Sequence, residues 1–146
     1  SYKSNPIDNY QKFIDAHNGK YNRVSYETAL KEITNCAKKS CWIWYILPGN
    51  IGYSETAINY ILHENEVIGY LDISMLKNNY IEIVKQINKC LHNGISKIEL
   101  FGKDIDIKKA NTSIRLFRDA TNGVNRHKDV HTLCVNTLEL MKKTNK

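Results

Sequence analysis

Both tryptophans of the chain, Trp42 and Trp44, lie two residues apart in one short apolar run. Lys38 and Lys39 precede this run, and a Pro-Gly pair follows it. Aromatic rings beside cations are what binding sites use to stack a planar group and to hold its negative charge. The alternative is a buried aromatic segment, because large aromatic side chains dominate protein cores. Residues 38–49, which we call the Trp-x-Trp segment, are therefore the first candidate site.

The backbone conformation of the Trp-x-Trp segment decides where its rings point. In an extended strand Trp42 and Trp44 would share one face, whereas in a helix they would diverge by about 200°. Alternation with a period of two residues is scarce in this sequence, and the best strand candidates are residues 41–47 and 97–101. The pattern therefore allows a short extended segment over residues 41–47.

Cys41 is the candidate nucleophile of the Trp-x-Trp segment. Lys38 or Lys39 would favour its thiolate, which is the reactive form of cysteine. A catalytic cysteine also needs a histidine base, and the sequence does not indicate which of its five histidines is close. The alternative is a packed, unreactive cysteine. The four cysteines of the chain contain no CxxC pair and are too sparse for a disulfide scaffold, so we expect reduced thiols.

A second candidate cluster is formed by His127, His131 and Cys134. Their spacing of i, i+4 and i+7 places them on one face of a helix, a geometry that suits a metal ion. Cys134 also belongs to the apolar stripe of that helix, and the sequence indicates no fourth ligand. We therefore expect neither a metal nor a cofactor, with these three residues as the only candidate ligands.

Polar residues of a third stretch could hold a phosphate. Lys109 and Ser113 lie one helical turn apart, so a cation and a hydroxyl share one face, and Arg115 follows them. The alternative is a solvated helix surface. Asp104 and Asp106 would point apart on a helix, so we expect them to face the helix dipole rather than to act as an acid–base pair. P-loop, GxGxxG, GxSxG and HExxH motifs are absent from the sequence.

Helix signals dominate the rest of the chain. The clearest apolar stripe at helical spacing runs from Tyr80 to Leu91, and residues 64–71 predict a short helix. We therefore predict an all-α, compact single-domain bundle of about seven helices. The residues that we expect to begin helices are Asn5 with Pro6, Ser25, Ser54, Asp104 and Asn125. The pairs that we expect to end helices are Asn18-Gly19, Asn93-Gly94 and Asn122-Gly123.

The composition is that of an ordinary globular domain. The 146 residues fit one domain, with residues 142–146 as a flexible basic tail. Lysine and arginine total 21 against 15 acidic residues, and the net charge of +6 is spread along the chain. A spread surplus is typical of a solvated surface, so we do not expect nucleic acid binding. The abundance of Asn, Lys, Ile and Tyr indicates an AT-rich genome, such as that of a large DNA virus or a protist.

Two features bear on location. Residues 1–8 are polar and contain no apolar signal core. The longest apolar run, residues 42–47, is far too short to cross a bilayer. We therefore expect a cytoplasmic protein that does not contact membranes.

The Trp-x-Trp segment resembles the Lys-Arg-x-His-Trp-x-Trp-x-x-Pro-Gln signature of the bacterial family known as domain of unknown function 1810. Further blocks resembling that family follow in the same order and cover nearly the whole chain. The resemblance implies a mainly α-helical fold, in agreement with the helix signals, and it implies no established activity. The other matching blocks are residues 13–17, Tyr26 with residues 29–33, residues 52–54 with Tyr60, Glu66 with residues 70–71, residues 101–102, Asp106, Lys109, Ser113, residues 116–117 and residues 132–133.

The chain departs from the family pattern at three positions. Cys41 stands where the signature has His, and Gly49 stands where it has Gln. His17 occupies a Gln-like position near the start of the pattern. If the family's His and Gln bind a ligand, this chain has changed or lost that chemistry.

These observations favour a small-molecule binding domain. A planar group would stack on an aromatic ring of the Trp-x-Trp segment while a cation and hydroxyls meet an anion, as a nucleotide or an ADP-ribose-like ligand would require. One alternative is a protein-interaction or host-interaction module in which the aromatic segment is core. Another is single-stranded nucleic acid binding. The residues leave open whether a reaction follows binding. The expected ligand-binding residues are Lys39, Trp42, Trp44, Tyr45, Ser54, Lys109 and Ser113.

Overall fold

Helices supply the regular secondary structure of residues 8–143, the part of the chain that the computed structural model describes. This confirms the all-α prediction, although two short helices in the stretches considered as strands, Ile43–Ile46 and Lys97–Phe101, raise the number in the described part to nine. The helices are α1 (Gln11–His17), α2 (Tyr26–Thr34), α3 (Ile43–Ile46), α4 (Glu55–Ile58), α5 (Val67–Leu71), α6 (Ser74–His92), α7 (Lys97–Phe101), α8 (Asp104–Thr121) and α9 (Lys128–Lys143). Short 3-10 turns lie at Asp8–Tyr10, Lys20–Asn22, Glu64–Glu66 and Asn125–His127.

Most of the expected helix ends are confirmed. Ser25 and Ser54 cap α2 and α4 by accepting hydrogen bonds from the backbone N–H groups three residues later. Gly19 adopts a left-handed φ of 81° just after α1. Asn125 is a correction: it lies in a 3-10 turn, and α9 begins only at Lys128. The predicted start at Asn5 and Pro6 lies outside the described residues.

Three long helices form the centre of the bundle. α8 and α9 pack together as a helical hairpin, and α6 packs against both α9 and α2. The predicted apolar stripe of α6 is buried along its length, from Leu76 to Leu91. In the middle of the core the ring of Tyr80 stacks on Phe117 of α8, with the ring centroids 3.8 Å apart. The shorter helices close the other sides of this core.

Both strand predictions are wrong, because residues 41–47 and 97–101 contain the short helices α3 and α7. A lone strand would leave its backbone unpaired, whereas a helical turn satisfies it locally. Around α3, the N–H groups of Ile46 and Leu47 donate to carbonyls four residues earlier. α7 carries a complete set of local signals, with Ser96 and Glu99 forming a capping box and Gly102 closing the helix at a φ of 81°.

Two cysteines are joined, contrary to the expected reduced thiols. A disulfide links Cys36, just after α2, to Cys90 in α6, across 54 positions of sequence. Cys41 and Cys134 are free. The prediction failed because it considered spacing along the chain, whereas this pair is created by the packing of α2 against α6.

The C-terminal end also differs from expectation. Lys142 and Lys143, predicted to begin a flexible tail, form the last turn of α9, and residues 144–146 lie outside the described part. Among the described residues, no helix combines the length and the apolar character that crossing a membrane requires.

Candidate functional site

The one-turn helix α3 separates the aromatic residues of the Trp-x-Trp segment. Trp42 and Tyr45 are completely buried, and their polar atoms are used inside the protein. The Trp42 indole donates to Glu32 at 2.8 Å, and the Tyr45 hydroxyl donates to the Val24 carbonyl at 2.6 Å. Trp44 is only half-buried. Of the three rings that were expected to stack on a ligand, Trp44 alone is therefore partly exposed.

Trp44 lies in a cage of rings with a cation above it. The Tyr45 and Tyr60 rings lie nearly perpendicular to the Trp44 ring in T-shaped contacts, at centroid distances of 4.8 and 5.1 Å. The Arg23 guanidinium lies 4.9 Å from the centroid of the Trp44 ring, a cation–π contact. The Arg23 Nε is buried and finds no hydrogen-bond partner among the described residues.

Glu32, at the end of α2, fixes the loop that leads into α3. Its carboxylate accepts hydrogen bonds from the backbone N–H groups of Lys39 and Ser40, from the Ser40 hydroxyl and from the Trp42 indole. Burial raises the pKa of Glu32, but these hydrogen bonds outweigh burial and lower the pKa to about 2. The loop is thus anchored by a carboxylate that remains ionised.

A buried ion pair connects the Trp-x-Trp segment to α8. The Lys38 ammonium lies 2.8 Å from the Asp106 carboxylate, and the two side chains are only 4% and 7% exposed. Lys38 also donates to the Ser40 carbonyl and lies 5.0 Å from the centroid of the Trp42 ring. Asp106 was expected to face the helix dipole, and its position in the first turn of α8 fits that role. Its pairing with Lys38 was not predicted.

A cleft of about 390 Å³ opens beside this ion pair, between the Trp-x-Trp segment, α4 and the first turns of α8. Four cationic side chains line it together with one carboxylate, two hydroxyls, the exposed Cys41 thiol and Trp44. We call it the basic cleft. Its polar lining residues are Arg23, Lys38, Cys41, Ser54, Thr56, Lys103, Asp106 and Lys109.

The structure brings four of the candidate residues together in the basic cleft, namely Cys41, Trp44, Ser54 and Lys109. Arg23, Thr56 and Lys103, which also line it, were missed. Arg23 and Lys103 stand in loops and Thr56 stands in the short helix α4, all without a motif, and only the tertiary fold places them beside the Trp-x-Trp segment. No signal in the sequence singles them out.

Three other candidates lie elsewhere. Lys39 is exposed on its loop and is not among the residues that line the cleft. Ser113 is completely buried, and its hydroxyl is 3.0 Å from that of Tyr80. The register of α8 explains this, because Ser113 falls on the same inward face as Ala110 and Phe117. Arg115 lies on the exposed face of α8.

A second, smaller pocket adjoins the basic cleft and shares Trp44, Ala57 and Lys109 with it. Gly49 lines this pocket, and a Cβ at that position would approach the Thr112 methyl to 3.3 Å. Cys41, the other departure from the family signature, lines the basic cleft. The two positions that differ from the resembled signature therefore lie in the walls of these adjoining cavities.

The three candidate metal ligands do not converge. His127 hydrogen-bonds Asp72 through Nε2 at 2.7 Å, and His131 Nδ1 lies 2.9 Å from the Arg118 carbonyl. Cys134 is packed in the core, where burial raises the pKa of its thiol to about 12. Within residues 8–143, no group of three His, Cys, Asp or Glu side chains could hold a metal ion.

Comparison with known proteins agrees with the helical fold. No curated protein matches the sequence. Among solved structures, the conserved hypothetical protein Rv1873 from Mycobacterium tuberculosis superposes with a TM-score of 0.77 at 24% sequence identity, over 97% of this chain and 92% of that one. At this identity the likeness concerns the fold alone.

The family model of a protein of unknown function, DUF1810, matches residues 7–138. That span includes α1 to α8, most of α9 and all the residues that line the basic cleft. The chain therefore belongs to the DUF1810 family.

Proposed function

We propose that this protein binds a small ligand that carries a phosphate, or a similar compact anion, next to a planar ring. The observation that carries the proposal is the charge balance of the basic cleft. Of its described lining residues, Asp106 is the only carboxylate, and it is already paired with Lys38. Arg23, Lys103 and Lys109 are therefore left to meet negative charge from outside.

In the proposed binding mode, the planar ring of the ligand lies beside Trp44. The Arg23 guanidinium lies over its ring, so a planar group beside Trp44 would bring an attached phosphate close to Arg23. Ser54 and Thr56 add hydroxyls on the same wall. A volume of about 390 Å³ falls in the range of about 300–1,000 Å³ that is common for ligand pockets. A nucleotide or an ADP-ribose-like compound meets these requirements.

The proposal is favoured over a purely structural role for the aromatic segment. If both tryptophans served only the core, both would be buried, whereas Trp44 is partly exposed in the wall of a cleft. Single-stranded nucleic acid binding would need several exposed rings along a basic stripe. Trp44 is the only aromatic residue among those described as lining the basic cleft.

A thermal-shift screen tests this proposal. The panel contains nucleotides, ADP-ribose, NAD, cyclic dinucleotides, inorganic phosphate and a short oligonucleotide. A ligand at about one hundred times its dissociation constant should stabilise the protein by about 2.7 kcal/mol, a shift of several degrees. The same ligand should quench tryptophan fluorescence in the wild type and not in a Trp44→Phe variant.

The outcome that contradicts the proposal is a screen in which no phosphate-bearing compound shifts the melting temperature. A quench that survives Trp44→Phe would also contradict it, because Trp42 lies in the core and not in the cleft.

A further inference from the structure

A groove that shares no lining residue with the basic cleft or its adjoining pocket runs along the helical hairpin of α8 and α9. It has a volume of about 460 Å³, and Lys97 of α7 also lines it. Its apolar side chains are Ile107, Val135, Leu138 and Met141, and Val135 is 37% exposed. On α8 the lining residues run from Asp104 to Arg118, which corresponds to about 21 Å of helix. We call this surface the hairpin groove.

Basic side chains outnumber acidic ones among the residues that line the hairpin groove. Five basic side chains line it against two carboxylates, Asp104 and Glu139. Arg118 has a salt bridge to Asp119 at 2.8 Å, whereas Lys108 and Arg115 are exposed on α8. The basic residues are Lys97, Lys108, Arg115, Arg118 and Lys142.

We propose that the hairpin groove binds an acidic amphipathic helix of a partner protein. Such a helix would lay its apolar stripe on Val135 and the neighbouring aliphatic side chains and direct its carboxylates to the basic rims. The length of the groove matches about four helical turns. This binding would be additional to the small-ligand binding proposed for the basic cleft, since the two surfaces share no lining residue.

The residue types favour this occupant over others of the same charge. A single strand of nucleic acid would need rings on which its bases stack, and the described residues that line the hairpin groove include no aromatic side chain. A lone phosphate would need no apolar side chains in its binding site. The combination of aliphatic side chains and a basic rim is complementary to a helix that is apolar on one face and acidic on its flanks.

A designed peptide tests the proposal with the full chain. The probe is a helix of about 18 residues with leucines at i, i+3, i+4 and i+7 and glutamates beside them. Three comparison probes are a shuffled peptide of equal composition, the same peptide with lysine in place of glutamate, and oligo-dT. Fluorescence anisotropy should show the acidic helix binding about tenfold or more tightly than each comparison probe.

Substitutions locate the binding. The pair Lys108→Glu and Arg115→Glu should weaken binding about tenfold, whereas the pair Lys85→Glu and Lys89→Glu, an equal change of charge on the exposed face of α6, should not. Val135→Asp places a charge at an apolar position of the groove that is 37% exposed and should abolish binding in a chain whose cooperative thermal transition shows that it is still folded.

Three results would overturn the proposal. One is the absence of binding at millimolar peptide, and another is equal binding of the shuffled peptide or of oligo-dT. The third is equal weakening by the α8 and α6 pairs. A Lys103→Gln and Lys109→Gln variant, altered at no residue that lines the hairpin groove, should bind the peptide normally, so the two proposals can fail separately.

Discussion

At the scale of single residues, Glu32 determines the conformation of the loop that carries Lys39 and Ser40 into α3. Its carboxylate accepts hydrogen bonds from Lys39, Ser40 and Trp42, and these donors have no other acceptor among the described residues. Removing an acceptor leaves such partly buried donors unpaired, which costs more than the net value of the hydrogen bonds. Glu32 therefore supports the geometry of the basic cleft without lining it.

We predict that Glu32→Ala lowers the free energy of unfolding by about 2–3 kcal/mol at neutral pH. The folded-state pKa of about 2 is below the ordinary value of 4.5, so the stabilisation is present above pH 4.5 and is lost as the pH falls towards 2. Urea unfolding across this pH window measures both effects. Glu27→Ala, at an exposed position of the same helix, is the matched control. Equal midpoints for the two variants would contradict the prediction.

His17 gives a second residue-scale prediction. It is buried and makes two hydrogen bonds, with Nε2 donating to the Tyr45 carbonyl and Nδ1 accepting from Asn79. Burial lowers the pKa of His17 to about 4, although the Tyr45 carbonyl opposes this. The unfolded chain takes up the proton near pH 6.5, so stability should fall as the pH drops from 6.5 to about 4.

The test for His17 is the pH profile of unfolding. His17→Gln should flatten the profile between pH 6.5 and 4, whereas His92→Gln, at an exposed position of α6, should leave it unchanged. A His17→Gln profile as steep as that of the wild type would show that this residue does not titrate as its environment requires.

At the scale of elements, α5 and the 3-10 turn Asp8–Tyr10 approach each other very closely. A Cβ on Gly69 would lie 2.3 Å from the Tyr10 hydroxyl, which donates to the Glu66 carbonyl. Helix propensity alone predicts that Gly69→Ala stabilises the helix by about 1 kcal/mol. We predict the opposite sign, a loss of about 1–3 kcal/mol, because Tyr10 must move. Chemical denaturation decides the sign, and a Tyr10→Leu background should reduce the loss.

The disulfide between Cys36 and Cys90 ties α2 to α6. Closing a loop of 54 positions restricts the unfolded chain, which corresponds to about 4 kcal/mol of stabilisation in the chain-entropy description. We predict that a reductant lowers the unfolding free energy of the wild type by about this amount and leaves a Cys36→Ser and Cys90→Ser variant unchanged. Thiol titration of the denatured, non-reduced protein should find only Cys41 and Cys134. Four reactive thiols would contradict the pairing.

At the scale of the whole molecule, local signals predicted most of the described helices, missed the short helices α3 and α7, and failed at contacts distant in sequence. Ser25 and Ser54 mark helix starts because a capping bond closes within three residues. The pair of Lys38 and Asp106 spans 68 positions, and only the packing of α8 against the Trp-x-Trp segment creates it. The packing of elements distant in sequence also places Arg23 in the wall of the basic cleft. Of the basic cleft, the sequence indicated Cys41, Ser54, Lys109 and the aromatic rings, and only the fold shows that Trp44 is the ring that lines it.

In the function that we propose for this protein, the basic cleft binds an anion attached to a planar group. The direct measurement is calorimetric titration of the panel's most stabilising phosphate-bearing compound into three proteins. These are the wild type, a Lys103→Gln and Lys109→Gln variant, and a control variant with Lys85→Gln and Lys89→Gln on α6. We predict a dissociation constant about tenfold or more higher in the cleft variant and unchanged in the control. Equal dissociation constants in all three proteins would contradict the claim.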